Sequence, residues 1–338
     1  TTTDATLLVN LEEAVYGNYA IEQGTATITA QSTGAPSSSA GTGSTGHATA
    51  SSAADASLLI NADANLALGG GTVALRARAE QYADSLTFMV EEGAFAGINL
   101  ARAAPGLNQQ GLLNGTLAGS GRIPVDTSPE IDADLRLEDT RLNNQVIDQA
   151  QVQVVLAGDS LQSSATMQFP DGRLALTGRV TNLDETPRYR ITEGDVLNLD
   201  VGALLGDTTF VTRVNGALRL NGEGTDLQTA RATATLDLRD TRINEATIPR
   251  GNIDLQFNRG TGTMRSFFAF AAGGSVALNA DVAARDRTLT YQYRARATNF
   301  DLAALTGDAG RTSRLNMFVE GQGRDIDPAT LVTEGRLS

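Results

Sequence analysis

Along most of this chain, apolar and polar side chains alternate one for one. Leu7, Val9 and Leu11 begin the pattern, followed by Tyr19 and Ile21, then Ala26 and Ile28. A period of two predicts strands with one half-buried face and one wet face. Further on, strands are predicted around Leu135/Leu137, Val152/Val154/Leu156, Met167/Phe169, Leu174/Leu176, Tyr189/Ile191, Leu197/Leu199 and Val214/Leu218/Leu220. Turn dipeptides such as Gly158-Asp159, Asp171-Gly172 and Asn221-Gly222 separate them. Short turns of this kind join neighbouring strands antiparallel, as a meander.

One segment breaks the alternation. Asp200-Val-Gly-Ala-Leu204-Leu205-Gly206 reads as a brief helix, with Asp200 as N-cap and Gly206 as its stop. Asp301 to Gly307 repeats it, and Asn99 to Gly106 is a looser version.

These echoes belong to a longer repeat. The stretch Ala133-Asp-Leu135-Arg-Leu137-Glu-Asp139-Thr140-Arg141-Leu-Asn143 returns 101 positions later as Ala234-Thr-Leu236-Asp-Leu238-Arg-Asp240-Thr241-Arg242-Ile-Asn244. The same spacing relates Val73/Leu75 to Leu174/Leu176, and Glu92-Gly93 to Glu193-Gly194. A third copy carries Val276, Leu278, Tyr291 and Tyr293. The units fall at 1–129, 130–230 and 231–329, and 330–338 starts a further one. The first unit is longer because it contains residues 31–55, almost all Ser, Thr, Gly and Ala. That tract has too little apolar surface to offset its ordering entropy and is expected to be a flexible insertion.

Composition narrows the chemistry. The net charge is −13, which argues against a nucleic-acid partner. There is no Cys, so disulfides and thiolate sites are excluded. There is no Lys, and all 26 basic residues are Arg. No window approaches the roughly 18 apolar residues of a membrane span. With no Met, signal peptide or anchor at its start, the chain is expected to be a fragment of a longer protein.

A one-sided sheet must cover its apolar face by closing, folding over, stacking, or holding something greasy. The side chains on that face are mostly Leu, Val and Ile, which suits a lined trough, although alternation alone also fits a sandwich. The short Leu-Asp-Val-Gly-Ala-Leu-Leu-Gly helix, the Gly-x-Gly-x-Asp turn and the Asp-Thr-Arg-Leu/Ile-Asn meander resemble the TamB branch of the AsmA-like bacterial envelope proteins. The resemblance covers nearly the whole chain outside the insertion.

It implies an all-β fold: an extended antiparallel repeat sheet folded over into a taco-like apolar groove, with one short helix per unit. It also implies a periplasmic protein, anchored in the inner membrane through a segment outside this chain. Such proteins move phospholipid between the inner and outer membranes and support outer-membrane protein assembly with a barrel partner. Regions outside this chain would hold that partner. The competing reading is a structural stalk or adhesin built from tandem β-sandwiches, which predicts separate cores and linkers. No linker composition marks the unit boundaries.

The candidate lining for phospholipid acyl chains is the apolar stripes, whose bland alternative is an ordinary core. In the middle unit the stripes comprise Leu135, Leu137, Val152, Val154, Leu156, Met167, Phe169, Leu174, Leu176, Tyr189 and Ile191. In the third unit they comprise Leu236, Leu238, Ile253, Leu255, Phe257, Phe268, Phe270, Val276, Leu278, Tyr291 and Tyr293.

No catalytic, metal or cofactor site is expected. The only His, His47, lies in the insertion, and no base is positioned beside a Ser. Asn221 to Asp226 looks like a calcium turn but lacks the tandem nonapeptides that such a site needs. Gly69-Gly70-Gly71 lacks the helix and Lys of a phosphate cradle. Asn114-Gly-Thr116 is a formal glycosylation sequon only. Arg141 and Arg242 are expected to pair with Asp139 and Asp240 at the surface.

Overall fold

A computed structural model describes the chain except for residues 1, 17–18, 34–56, 83, 104–109, 144, 206–210, 286–287, 302–313, 325–331 and 338. Contacts divide it into two compact units, Thr1–Leu142 with Gln153–Gly158, and Asn143–Val152 with Asp159–Ser338.

The first unit contains β1 (Thr2–Tyr16), β2 (Tyr19–Thr33), β3 (Ser57–Leu68), β4 (Gly71–Tyr82), β5 (Ser85–Asn99), β6 (Gly111–Pro124) and β7 (Glu130–Leu142). Each pairs antiparallel with the next. Helix α1 (Leu100–Ala103) sits between β5 and β6. Strand β8 (Gln145–Ala157) has residues in both units.

The second unit contains β9 (Ser160–Gln168), β10 (Arg173–Thr181), β11 (Arg188–Leu199), β12 (Thr212–Glu223), β13 (Arg231–Ile243) and β14 (Ala246–Asn258). It continues with β15 (Thr261–Ala269), β16 (Ser275–Arg285), β17 (Thr288–Phe300), β18 (Leu315–Arg324) and β19 (Val332–Leu337). Pairing is again antiparallel and strictly consecutive. Helix α2 (Val201–Leu205) lies between β11 and β12.

The fold is therefore all-β, an open antiparallel repeat sheet. Among the described residues no pairing joins the edge strands of either unit. The sheet runs unbroken across both expected repeat boundaries that could have held linkers. Strand β6 pairs with β7 across residue 129, and β12 pairs with β13 across residues 229–232.

The 101-residue repeat is written into the pairing itself. Register steps fall between Arg76 and Ala77, and again between Thr177 and Gly178. They fall between Phe95 and Ile98, Val196 and Leu199, and Ala297 and Phe300. They fall between Leu112 and Gly115, and between Arg213 and Gly216. Steps of this kind are bulges that bend and twist a sheet locally.

Side chains repair the ladder at these steps. The Asn114 amide N–H donates to Thr140 Oγ1 at 3.1 Å, and the Thr140 hydroxyl donates to the Asn114 carbonyl at 3.1 Å. Asn114 Nδ2 donates to the Asp139 carbonyl at 2.9 Å, and Asn114 Oδ1 accepts from the Gly97 N–H at 2.8 Å. One repeat later, Asn215 and Thr241 exchange the same two bonds at 3.0 Å each. Asn215 also bonds Asp240 at 2.9 Å and Asn198 at 2.7 Å. In the third copy Asn316 Oδ1 accepts from Asn299 at 2.9 Å. Asp139 and Asp240 take φ values of 45° and 42°, and Asn198 and Asn299 take 48° and 49°. Asn and Asp tolerate this left-handed region better than most residues.

Both short helices begin as their caps dictate. Asp200 Oδ1 accepts from the Ala203 N–H at 3.1 Å, and Asn99 Oδ1 accepts from the Arg102 N–H at 3.3 Å. The third expected helix, Asp301 to Gly307, lies outside the described residues beyond Asp301. So do His47 and most of the insertion, whose first residues, Gln31 to Thr33, complete β2.

Within each unit a group of buried side chains sits at the strand ends beside the helix: Ile98 and Thr140 in the first, and Ile147, Leu199, Thr241, Ile248 and Phe300 in the second, with Ile98, Leu199 and Phe300 spaced 101 apart. Phe270 packs edge-on against Phe300, with ring centroids 5.0 Å apart.

Candidate functional site

In an antiparallel ladder, residues directly opposite each other share a face, and alternate residues along a strand share that face too. The pairing registers therefore assign every strand residue to one side.

In the second unit one side is apolar from strand to strand. Leu161 and Met167 on β9 share it with Val180 and Leu174 on β10. It continues through Tyr189, Ile191 and Val196 on β11 to Leu220 and Leu218 on β12. Leu236 and Leu238 on β13 face Ile253 and Gly251 on β14. Leu255 faces Met264, Phe257 faces Gly262, and Phe268 faces Val276. Leu278, Val282, Tyr291 and Tyr293 carry the side across β16 and β17 to Met317 and Val319 on β18.

In the first unit the same parity collects Leu7, Ile28, Leu66, Val73, Phe95 and Leu117, ending at Leu135 and Leu137. On β8, Val152, Val154 and Leu156 are half-buried.

Most of these side chains are half-buried, not sealed in a core. Apart from Phe169, Leu238 is the tightest of the expected stripe, at 5% exposure on β13, and Leu255 the most open, at 45%. Phe169 and Phe270 belong elsewhere. Phe169 is 3% exposed and lies in the turn after β9, and Phe270 joins the helix-end core. Alternation had grouped them with the stripe, but their strands end one residue earlier. The sequence reading left Met264 and Val282 out of the stripe, although they carry the same alternating signal.

The apolar side is flattened by ring-on-glycine pairs. Phe88 lies against Gly121 and Tyr189 against Gly222, where a Cβ would run into the ring. In the third repeat Tyr291 is opposite Gly323. Each glycine leaves room for the ring to lie down on the backbone.

A discordant group on this side is Ser266. It is 7% exposed, between Ile253 and Leu278, and among the described residues its hydroxyl has no hydrogen-bond partner.

The opposite side is mostly polar, with Leu8, Met89, Leu197 and Phe267 standing on it as single exposed apolar side chains. Thr235, Asp254 and Arg265 form one row, and Asp237 and Asn252 belong to the next. Arg219 reaches Asp237 at 3.4 Å, and Arg76 reaches Asp63 at 3.0 Å and Glu92 at 3.4 Å. The Asp63 hydrogen bond, with the charges of Asp63 and Glu92, raises the Arg76 guanidinium pKa above its ordinary value. Arg242 pairs with Glu245 at 2.8 Å and donates to the Asn244 carbonyl at 2.8 Å. The expected partner, Asp240, instead offers its carbonyl to Asn215.

Among the described residues no helix is long and apolar enough to cross a membrane. No family model, no curated protein and no solved structure matches the chain.

Proposed function

We propose that this chain is a lipid-conducting segment of a bacterial envelope protein, working in the periplasm and held to the inner membrane by a segment outside it. The observation behind this reading is the apolar side, which passes from strand to strand with half-buried residues, while the reverse side is mostly polar with scattered single apolar side chains such as Met89 and Phe267. Acyl chains complete the burial of that side. Each buried methylene contributes about 0.8 kcal/mol, and because the effect is non-directional, lipids slide without a head-group pocket. The ring-on-glycine pairs support the reading, because they lower the relief along the path.

The segment acts by binding and guiding, without catalysing a reaction. An outer-membrane barrel partner, engaged through regions outside this chain, would receive the lipid and share in outer-membrane protein assembly. The tandem-sandwich stalk lacks its main support, since strands pair across both repeat boundaries.

Photo-crosslinking residues placed at Leu236 and Leu255 should capture phospholipid in cells, and those at Thr235 and Asp254 should not. Equal labelling of both sides, or none at Leu236 and Leu255 in folded protein, would sink the conduit.

A further inference from the structure

The polar side of the second unit has a feature of its own. At the strand ends away from α2, a cleft of about 750 Å³ opens across β14 to β18. Its position is set by two rows of side chains on the polar side. The inner row is Gln256, Thr263, Asp281, Gln292 and Gln322, each directly opposite the next. In the outer row Asn258 stands at one side of the cleft and Arg324 at the other. Between the rows, the backbone of the strands forms the floor.

The chemistry of this lining is selective. Four primary amides, those of Gln256, Asn258, Gln292 and Gln322, point into one space. Among the described residues none of them makes a hydrogen bond within the chain. Each amide can donate and accept at once, which suits hydroxyl groups better than ions. Asp281 and Arg324 oppose each other in sign, so the lining has no net charge to attract a polyanion. Phosphate-rich ligands need a positive surface instead.

One repeat before Arg324 stands Glu223. Glu223 is bridged by Arg188 at 3.7 Å and by Arg231 at 3.4 Å, beside a smaller space of about 230 Å³ on β11 to β13. In the third repeat Arg324 takes that position at the edge of the wider cleft.

We infer that this cleft binds a neutral oligosaccharide laid across the strands. Five strands spaced by about 4.8 Å span about 19 Å. A pyranose in an extended β-linked chain advances by nearly one strand spacing. Each successive ring therefore meets the next residue of the inner row, and its hydroxyls exchange hydrogen bonds with Gln256, Thr263, Asp281, Gln292 and Gln322 in turn. No aromatic side chain of the polar side stands in these two rows, so the contacts are hydrogen bonds without ring stacking and the binding is weak and length-dependent. Gly262, Val282, Tyr291 and Gly323, whose positions belong to the apolar side, also line the cleft between the two rows, but the inference does not depend on the lipid reading.

Calorimetric titration of the full 338-residue chain with cello- and chito-oligosaccharides of increasing length tests the inference. Affinity for at least one of the two series should rise up to about five sugar units, one per strand, and then level off. Replacing Gln292→Ala and Gln322→Ala together should weaken the longest binding oligomer by about tenfold or more. These are surface positions, and circular dichroism should show both chains equally folded. Leu255→Asp, on the other side of the sheet, should leave glycan affinity unchanged while opposing lipid capture. The inference is overturned if neither hexamer binds at millimolar concentration, if affinity does not depend on length, or if the double variant binds as well as the parent.

Discussion

At the residue scale, the most informative side chains are Thr140 and Thr241. Alternation treats a Thr in a strand as an outward polar residue, yet these two are 1% and 0% exposed. Each replaces a missing rung of the ladder where two strands fall out of step. Thr241→Val keeps the shape and removes both bonds to Asn215, leaving a half-buried N–H and carbonyl unpaired. Loss of about 2 kcal/mol is expected in denaturant unfolding, since each unsatisfied buried group costs on the order of 1 kcal/mol or more. Thr235→Val, on the same strand but outside the step, should cost little. Ser266 predicts the opposite sign. Among the described residues its buried hydroxyl has no partner, so Ser266→Ala should leave the thermal midpoint unchanged or raise it. A clear fall would show that the hydroxyl does make a bond. None of this was legible in the sequence. The Asp-Thr-Arg recurrence was visible, but a motif shows that a position matters without showing which atom it serves. The bond from Thr to a strand 26 residues away is a tertiary fact.

At the element scale, much more could be read in advance. Strand existence, antiparallel order and both short helices follow from period two, the turn dipeptides Gly158-Asp159 and Asp171-Gly172, and the capping residues Asn99 and Asp200. Asn221-Gly222, expected as a turn, instead lies inside β12, where Gly222 makes room for the Tyr189 ring. The ends of elements were less legible, as Phe169 and Phe270 show, because the side-chain period does not mark where a ladder stops. Asp200 does more than cap. Its Oδ1 accepts from the Ala203 N–H at 3.1 Å and from the Thr212 N–H at 3.3 Å, so it ties α2 to the start of β12. Asp200→Ala should cost about 1 kcal/mol, the usual worth of an N-cap, and Asp200→Asn much less. A comparison of their urea midpoints checks this. The polar and apolar sides of each strand were also legible. The cleft was not, because it is made by five strands at once. No single stretch contains its pattern.

At the scale of the whole molecule, the insertion is the simplest test of modularity. Thr33 and Ser57 are direct cross-strand partners, so excising residues 34–56 and joining the ends through an Asn-Gly turn asks nothing of the flanking strands. The thermal midpoint should stay within a few degrees, given how slowly closure entropy grows with loop length; a large drop would mean that the tract packs on the sheet. The strictly consecutive pairing has a further consequence, for how the chain acquires its shape. Within each unit, every strand finds its partners in the strands just before and after it. A nascent chain can therefore crystallise onto its own growing edge one hairpin at a time, without waiting for a distant segment to arrive. Until the next strand emerges, that edge stays open and adhesive, so the hazard in making this protein lies in pauses during synthesis.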